Sequence, residues 1–239
     1  MSDIPINKLT KKELVWLHRN KCKHSHRYLD HWTCYENEVL KGRDFKPGKE
    51  RLPIYIRDGF FDIESTSLKA NFGIMLCYCI KDGDSDKIYE RVVNKKELDE
   101  CLDREVVRQC VEDIQKFGRV ITFYGSRFDL PFLRSRAVYW NIPFPKYQDI
   151  CQTDVYYIVR NRFKLNRNSL ESACNFLLPE EVQKKHEKTH YGRDHWLWAM
   201  QGKKESLDYI IEHCRHDVLM LEDLYYVVED YARRTDISI

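Results

Sequence analysis

The chain has 239 residues, enough for one large domain or for one domain with a small appendage. Hydrophobic residues make up 43% and charged residues 33% of the chain, so we expect a packed core rather than intrinsic disorder. The net charge is only +2, and a nucleic-acid ligand is therefore not indicated by bulk charge; any basic surface has to be local.

Residues 1–50 are predicted to form a separate N-terminal segment rich in cysteine and histidine. Zinc takes four nitrogen or sulfur ligands in a tetrahedron, and the stretch CKHSHRYLDHWTC supplies enough of them. The candidate zinc ligands are Cys22, His24, His31 and Cys34, with His26 as a substitute for His24. The alternative is a loop with incidental histidines, because the spacing fits no common zinc finger.

The sequence predicts an intracellular, cytoplasmic protein. Residues 1–12 are polar and lack the apolar centre of a secretion signal. No apolar run approaches the roughly 20 residues that a membrane span needs. The nine cysteines are an odd number, and five of them lie in apolar stretches, where a reduced cysteine acts as a small hydrophobe.

The polar stretch KGRDFKPGKE, residues 41–50, is predicted to be a linker, and a compact α/β domain is predicted over residues 51–239. Strands are predicted at Ile54–Glu64, Ile74–Ile80, Tyr89–Val93 and Val120–Tyr124. Helices are predicted at Lys95–Phe117, Leu130–Trp140 and Ser206–Tyr231, with a further one opened by a capping box at Asn168 and Glu171. This order predicts a mixed sheet with helices packed on it.

The first predicted strand carries two carboxylates on one face. In the stretch GFFDIES, Asp62 and Glu64 lie opposite Phe61 and Ile63. Two neighbouring carboxylates repel each other unless a divalent cation lies between them. The alternative is an edge strand with a solvated face, which the flanking apolar residues, including Phe60, do not favour.

Two further carboxylates lie at unusual places later in the chain. Asp129 follows a glycine turn after a predicted strand, where the alternative role is that of a helix N-cap. Asp217 falls within the apolar stripe of the last helix, where the alternative is pairing with a buried arginine or the backbone. Oxygen ligands from three segments suit Mg²⁺ or Mn²⁺.

These motifs resemble those of the DEDD family of 3′–5′ exonucleases, which have the ribonuclease-H-like fold. The similar stretches are FDIES (61–65) with Asp62 and Glu64, YGSRFDLPFL (124–133) with Asp129, and HCRHDVLMLEDLY (213–225) with Asp217. The resemblance extends from about Arg51 to Tyr231. It is closest to stand-alone domains related to the proofreading domain of family-B DNA polymerases.

The resemblance implies a ribonuclease-H-like α/β fold, with a mixed sheet of about five strands, three antiparallel and then parallel. It also implies hydrolysis of phosphodiester bonds in DNA or RNA by a two-metal-ion mechanism with Mg²⁺ or Mn²⁺. The expected partner is nucleic acid, as a single-stranded end or a duplex terminus. A structure-selective endonuclease of the same fold and a non-catalytic nucleic-acid-binding module are the alternatives.

The last helix departs from the family pattern. Family members carry a tyrosine four residues before the final aspartate or a histidine five residues before it, whereas here those positions hold His213 and Glu212. His213 lies one helical turn from Asp217 and is the candidate general base, because an imidazole can accept a proton near neutral pH. The alternative is a surface histidine that only supports the site. His216 points about 100° away from Asp217.

A basic stretch between the second and third motifs is the candidate strand-binding region. Its basic residues alternate with aromatic ones, a pattern that suits phosphate contacts and base stacking. The alternative is an ordinary solvated segment. The candidate nucleic-acid-binding residues are Arg127, Arg160, Arg162, Lys164 and Arg167.

Overall fold

A computed structural model describes residues 17–18, 20–22, 24–36, 57–146, 149–184, 192–232 and 237–238. The chain divides into two compact units, residues 1–56 and residues 57–239. The linker predicted at 41–50 and the beginning of the first predicted strand lie outside the described residues, and the domain boundary at residue 51 stays a prediction. None of the described helices combines the length and hydrophobicity needed to cross a bilayer.

The larger unit is built on a six-stranded mixed sheet, which confirms the predicted fold class. Its strands are β1 (Asp58–Ser65), β2 (Met75–Asp82), β3 (Ile88–Val92), β4 (Arg119–Thr122), β5 (Cys151–Asp154) and β6 (Ile237–Ser238). Their spatial order is β3-β2-β1-β4-β5-β6. The first three strands are antiparallel to one another, whereas β4 runs parallel to both β1 and β5. The short strand β6 adds antiparallel to β5.

Short helices follow the strands, and one long helix closes the unit. In chain order they are α1 (Trp32–Tyr35, in the smaller unit), α2 (Lys95–Glu100), α3 (Arg104–Ile114), α4 (Asp129–Tyr139), α5 (Val155–Arg162), α6 (Leu170–Leu177), α7 (Glu180–Gln183), α8 (Arg193–Met200) and α9 (Lys204–Val228). Helix α9 packs on β1 and β2 and contacts α8. The position of α9 sets its middle turns beside the carboxylates of β1.

The helix predicted at Lys95–Phe117 is wrong as a single element. The helix is interrupted between α2 and α3, where Leu102 has a left-handed φ of 55°. The break places Asp103 inside the core, where its carboxylate accepts hydrogen bonds from the Met75 backbone N–H at 2.8 Å and from Arg136 Nε at 2.8 Å. These partners are distant in sequence, so helical periodicity alone did not reveal the interruption.

Two features after the second motif differ from what the sequence predicts. Strand β5 and helix α5 were not predicted, because the strand sequence CQTD is polar and lacks an alternating pattern. The capping residue of α6 is Ser169 rather than Asn168: the Ser169 hydroxyl oxygen accepts a hydrogen bond from the Ser172 N–H at 3.2 Å. The helix therefore begins at Leu170, within the segment that the sequence indicated.

Candidate active site

Strand β1 presents Asp62 and Glu64 on the face that helix α9 covers. Phe61 and Ile63, which alternate with them, are buried in the core, whereas the two carboxylates are only half-buried. The Cys214 thiol of α9 donates to the Asp62 carbonyl oxygen at 3.4 Å, which fixes how closely helix and strand approach. The side-chain atom Oδ2 of Asp62 is buried and has no hydrogen-bond partner among the described residues.

Asp129 is directed at β1 rather than at its own helix. It is the first residue of α4 and is 3% exposed, yet the helix has no side-chain cap. Its Oδ1 accepts a hydrogen bond from the Ile63 backbone N–H at 3.1 Å. Ile63 lies between Asp62 and Glu64 in the strand, so this bond brings the third carboxylate to the first two. The N-cap alternative for Asp129 is therefore excluded.

The turn that precedes α4 is held by Asp154, at the end of β5. The Asp154 carboxylate accepts from the backbone N–H of Tyr124 at 2.8 Å and from the backbone N–H of Ser126 at 3.0 Å. Tyr124 adopts a left-handed φ of 67°. A Cβ at Gly125 would lie 2.5 Å from the Thr122 Cβ, so only glycine fits there. Asp154 is not among the site residues predicted from sequence, because the polar stretch of strand β5 lacks an alternating pattern.

Helix α9 contributes Asp217 and His213 from neighbouring turns. His213 Nε2 lies 3.8 Å from Glu64 Oε1 and 3.8 Å from Asp217 Oδ2. One ligand atom from each of these three residues lies within 4.8 Å of the other two. The Asp217 side chain stays 25% exposed, so this position within the apolar stripe reaches solvent and is not part of the closed core.

Trp196 of α8 is a site residue that the sequence did not indicate. Its indole Nε1 donates to Glu64 Oε2 at 3.2 Å. Its ring also meets the His213 ring edge-on, with the centroids 5.6 Å apart. One oxygen of Glu64 is thereby held by the indole, while the other faces His213. A tryptophan in the stretch DHWLW gives no hint of this contact, which joins residues far apart in the chain.

The pKa values of the carboxyl groups are raised by their shared environment. Burial, followed by repulsion from Asp129, Asp217 and Glu64, holds the pKa of Asp62 well above its usual range. Burial and repulsion from Asp217 do the same to the pKa of Glu64. Burial raises the pKa of Asp129 to about 7, against the opposing hydrogen bond from Ile63.

The residues present fit a divalent cation. Asp62 Oδ2 is buried without a hydrogen-bond partner among the described residues, and burial together with repulsion from Asp129, Asp217 and Glu64 raises the pKa of Asp62. Carboxylate oxygens are the ligands that Mg²⁺ and Mn²⁺ prefer. Among the described residues of the larger unit, the group that could hold a metal ion consists of Glu64, His213 and Asp217. The carboxylates of Asp62 and Asp129 interact electrostatically with this group.

A family model described as RNase_H superfamily matches residues 59–229, which include all four carboxylates. The chain belongs to the RNase H superfamily. Its RNase H-like fold is a nuclease fold. The matched residues include strands β1 to β5 of the sheet and the helices that pack on it.

Among solved structures, this RNase H superfamily member is similar to the family B DNA polymerase from the hyperthermophilic archaeon Pyrobaculum calidifontis. The TM-score is 0.57 and the sequence identity is 16%. The match covers 74% of this chain and 25% of the polymerase chain, so the two share a fold over about a quarter of the polymerase. Among curated protein sequences, none matches this chain.

The basic residues predicted to bind nucleic acid are all exposed in this RNase H superfamily member. Arg127 lies in the turn before α4, where its Nε donates to the Tyr157 hydroxyl at 3.2 Å. Nearby, the exposed ring of Tyr124 lies 4.7 Å from that of Tyr156, which places aromatic and basic groups on the turn that holds Asp129. Arg160 and Arg162 belong to α5, and Lys164 and Arg167 follow it.

His216 faces Glu212 rather than the carboxylates of Glu64 and Asp217. Its Nε2 lies 3.6 Å from Glu212 Oε1, whereas His213 Nε2 lies 3.8 Å from Glu64 Oε1 and 3.8 Å from Asp217 Oδ2. The helical spacing places His216 about 100° from Asp217, and it places His213 one turn from Asp217, beside the carboxylates of this RNase H superfamily member.

Proposed function

We propose that this member of the RNase H superfamily is a metal-dependent nuclease of the DEDD type, acting as a 3′–5′ exonuclease on DNA or RNA. One observation carries the proposal: carboxylates from β1, α4 and α9 meet at one place, where they raise each other's pKa. The order of the three sequence motifs and the fold shared with a DNA polymerase chain support the exonuclease assignment.

Asp62, Glu64, Asp129 and Asp217 are proposed to hold two Mg²⁺ or Mn²⁺ ions. Such an ion pair activates a water molecule and stabilises the leaving oxygen of a phosphodiester. The protein's own contribution is to fix the carboxylates before the ions arrive. Asp129 is anchored to the Ile63 N–H, and Glu64 is anchored to the Trp196 indole.

His213 is proposed to take the proton of the attacking water. Its imidazole is held between Glu64 and Asp217, at 3.8 Å from each, and its ring packs edge-on against Trp196. A positioned imidazole is suited to general-base catalysis near neutral pH. It stands where the resembling family has a tyrosine.

The substrate strand is proposed to approach over the turn at residues 123–128. Tyr124, 44% exposed, offers a ring for base stacking, and Arg127 offers a cation for phosphate. Arg160 and the basic residues that follow it, Arg162, Lys164 and Arg167, would extend the contacts along the strand. These features favour a single-stranded end as the substrate. An intracellular, cytoplasmic location is part of the same proposal. It is supported by the nine cysteines, none of which forms a disulfide.

Digestion of end-labelled nucleic acid tests the proposal. We expect 5′-labelled single-stranded DNA or RNA to give a ladder that shortens with time in Mg²⁺ or Mn²⁺, and no cleavage in EDTA. Asp62→Asn should be inactive because it removes a shared ligand charge, whereas Asp86→Asn, at an exposed position outside the site, should cleave normally.

Three results would contradict the exonuclease assignment. Cleavage of a circular substrate would indicate an endonuclease. Metal-dependent binding without any cleavage would indicate a binding module. Equal activity of Asp62→Asn and the parent would show that the cleavage comes from elsewhere.

A further inference from the structure

Among the residues of the smaller unit that the structure describes, few apolar side chains are buried. Its buried core among the described residues consists of Leu17, Cys22, Tyr28, Trp32, Cys34 and Tyr35. Two of these six are cysteines, and neither forms a disulfide. Units with so small a core usually depend on a metal, a disulfide or a partner for stability.

Four nitrogen and sulfur atoms meet at one point of this unit. The group consists of one ligand atom each from Cys22, His24, His31 and Cys34, and all four atoms lie within 4.8 Å of one another. Cys22 Sγ lies 3.9 Å from His24 Nδ1 and 3.8 Å from His31 Nδ1. His24 Nδ1 lies 3.2 Å from Cys34 Sγ.

These separations match the edges of a zinc tetrahedron. Ordinary zinc–sulfur and zinc–nitrogen bond lengths require a sulfur–nitrogen edge of about 3.5 Å. The three measured edges, 3.9, 3.8 and 3.2 Å, fall on both sides of this value. The ligand atoms are therefore arranged around a space of the right size for the ion.

The backbone brings the ligands together in two short pieces. Around Cys22 the chain reverses: the Ser25 N–H donates to the Cys22 carbonyl at 2.8 Å, and Ser25 has a left-handed φ of 66°. Lys21 and Arg27 close this turn as an antiparallel bridge. The second piece is α1, a single helical turn that carries Cys34 and is preceded directly by His31. Each piece supplies one cysteine and one histidine.

The geometry also decides between the two histidines that the sequence left open. His26 stacks edge-on against the His31 ring, with the centroids 5.0 Å apart, but it is not part of the four-atom group. His24 is part of that group. Substitution of these two neighbouring histidines therefore gives a matched pair of variants.

We propose that Cys22, His24, His31 and Cys34 bind one structural Zn²⁺ that stabilises the N-terminal unit. Two thiolates and two imidazoles select zinc over Mg²⁺ or Mn²⁺, which prefer oxygen. Four protein ligands complete the tetrahedron and leave no position open for a substrate, so the site is structural rather than catalytic. It is chemically distinct from the carboxylate site and does not depend on the proposed nuclease function.

Metal analysis of the purified full-length protein tests the proposal. We expect about one zinc per chain to survive dialysis. Cys34→Ser and His24→Ala should lose most of it, whereas His26→Ala should keep it. Two further controls should also keep it: Cys101→Ser removes a cysteine outside the group, and Asp62→Asn alters the carboxylate site.

A second measurement on the unaltered protein does not require any variant to fold. With zinc present, Cys22 and Cys34 should resist alkylation, and chelation should make both react while Cys101 reacts throughout. Resupply of Zn²⁺ should restore the protection. Co²⁺ in place of zinc should give the absorption of a tetrahedral site with thiolate ligands.

Several results would overturn the proposal. They are the absence of zinc, zinc that is lost in Asp62→Asn, and zinc that depends on His26 but not on His24. A fourth is protection of Cys22 and Cys34 that a reductant, rather than a chelator, removes, since that would indicate a disulfide.

Discussion

The Asp129 side chain accepts a hydrogen bond from strand β1 and does not cap the helix that it begins. Aspartate is a favoured N-cap, and local sequence could not exclude that role. The deciding partner is the Ile63 backbone N–H, which is 66 residues away in the chain. Because the Asp129 carboxyl group is nearly fully buried beside other carboxylates, its charged form is costly until a cation compensates the charge.

We predict that, without added Mg²⁺ or Mn²⁺, Asp129 makes the protein less stable as the pH rises. The pKa of Asp129 is about 7 in the folded protein, against 3.8 for an ordinary aspartate. Between these values the folded state keeps a proton that the unfolded state has released, so the free energy of unfolding falls as the pH rises through this window. Above about pH 7 the full cost is present.

Thermal unfolding measured from pH 4 to pH 8 checks this prediction. Asp129→Asn keeps an oxygen that can accept from Ile63 but cannot ionise, so it should gain stability relative to the parent as the pH rises. Added Mn²⁺ should stabilise the parent most at high pH, where the carboxylates are ionised. A difference between variant and parent that does not change with pH would contradict the assignment.

The spacing of residues along helix α9 determines which of its side chains face the carboxylates of β1. The apolar residues of α9 follow the helical period closely, and for this reason the sequence predicts the helix, with bounds Ser206–Tyr231 that differ from the observed Lys204–Val228 by two and three residues. The same spacing places His213 one turn from Asp217 and directs His216 toward Glu212. Elements without such a period, such as β5, were missed, and the break between α2 and α3 depends on distant partners of Asp103.

The two histidines of α9 are predicted to differ sharply in function. His213→Ala should reduce turnover by about 10²–10⁴-fold, the usual range for losing a general base, while the affinity for Mn²⁺ is kept. His216→Ala should have little effect, because its imidazole faces Glu212. Single-turnover rates and calorimetric Mn²⁺ titrations measure the two properties separately.

The same comparison can show that the role of His213 is different. If His213→Ala also loses Mn²⁺ binding, then the imidazole is a metal ligand rather than a proton acceptor. If His216→Ala is the inactive variant, the assignment of the general base is wrong.

At the scale of the whole molecule, the chain combines two chemically different donor sets. The candidate group in the larger unit, Glu64, His213 and Asp217, is dominated by carboxylate oxygens, whereas the candidate group in the smaller unit consists of sulfur and nitrogen atoms. The two proposed sites would therefore prefer different kinds of ion. The four carboxylates and both cysteines could be proposed as ligands from the sequence, because carboxylates on predicted buried faces and clustered cysteines and histidines are unusual. Trp196 and Asp154 were not, because their roles arise only when α8 and β5 reach the site.

Anomalous scattering from crystals grown with Mn²⁺ and a short oligonucleotide would show directly whether the four carboxylates share bound metal ions. We predict two Mn²⁺ peaks about 3.5–4 Å apart, bounded by oxygens of Asp62, Glu64, Asp129 and Asp217. Ordered Mn²⁺ elsewhere on the protein, with none between Asp62 and Asp217, would contradict the claim that these carboxylates form one metal site.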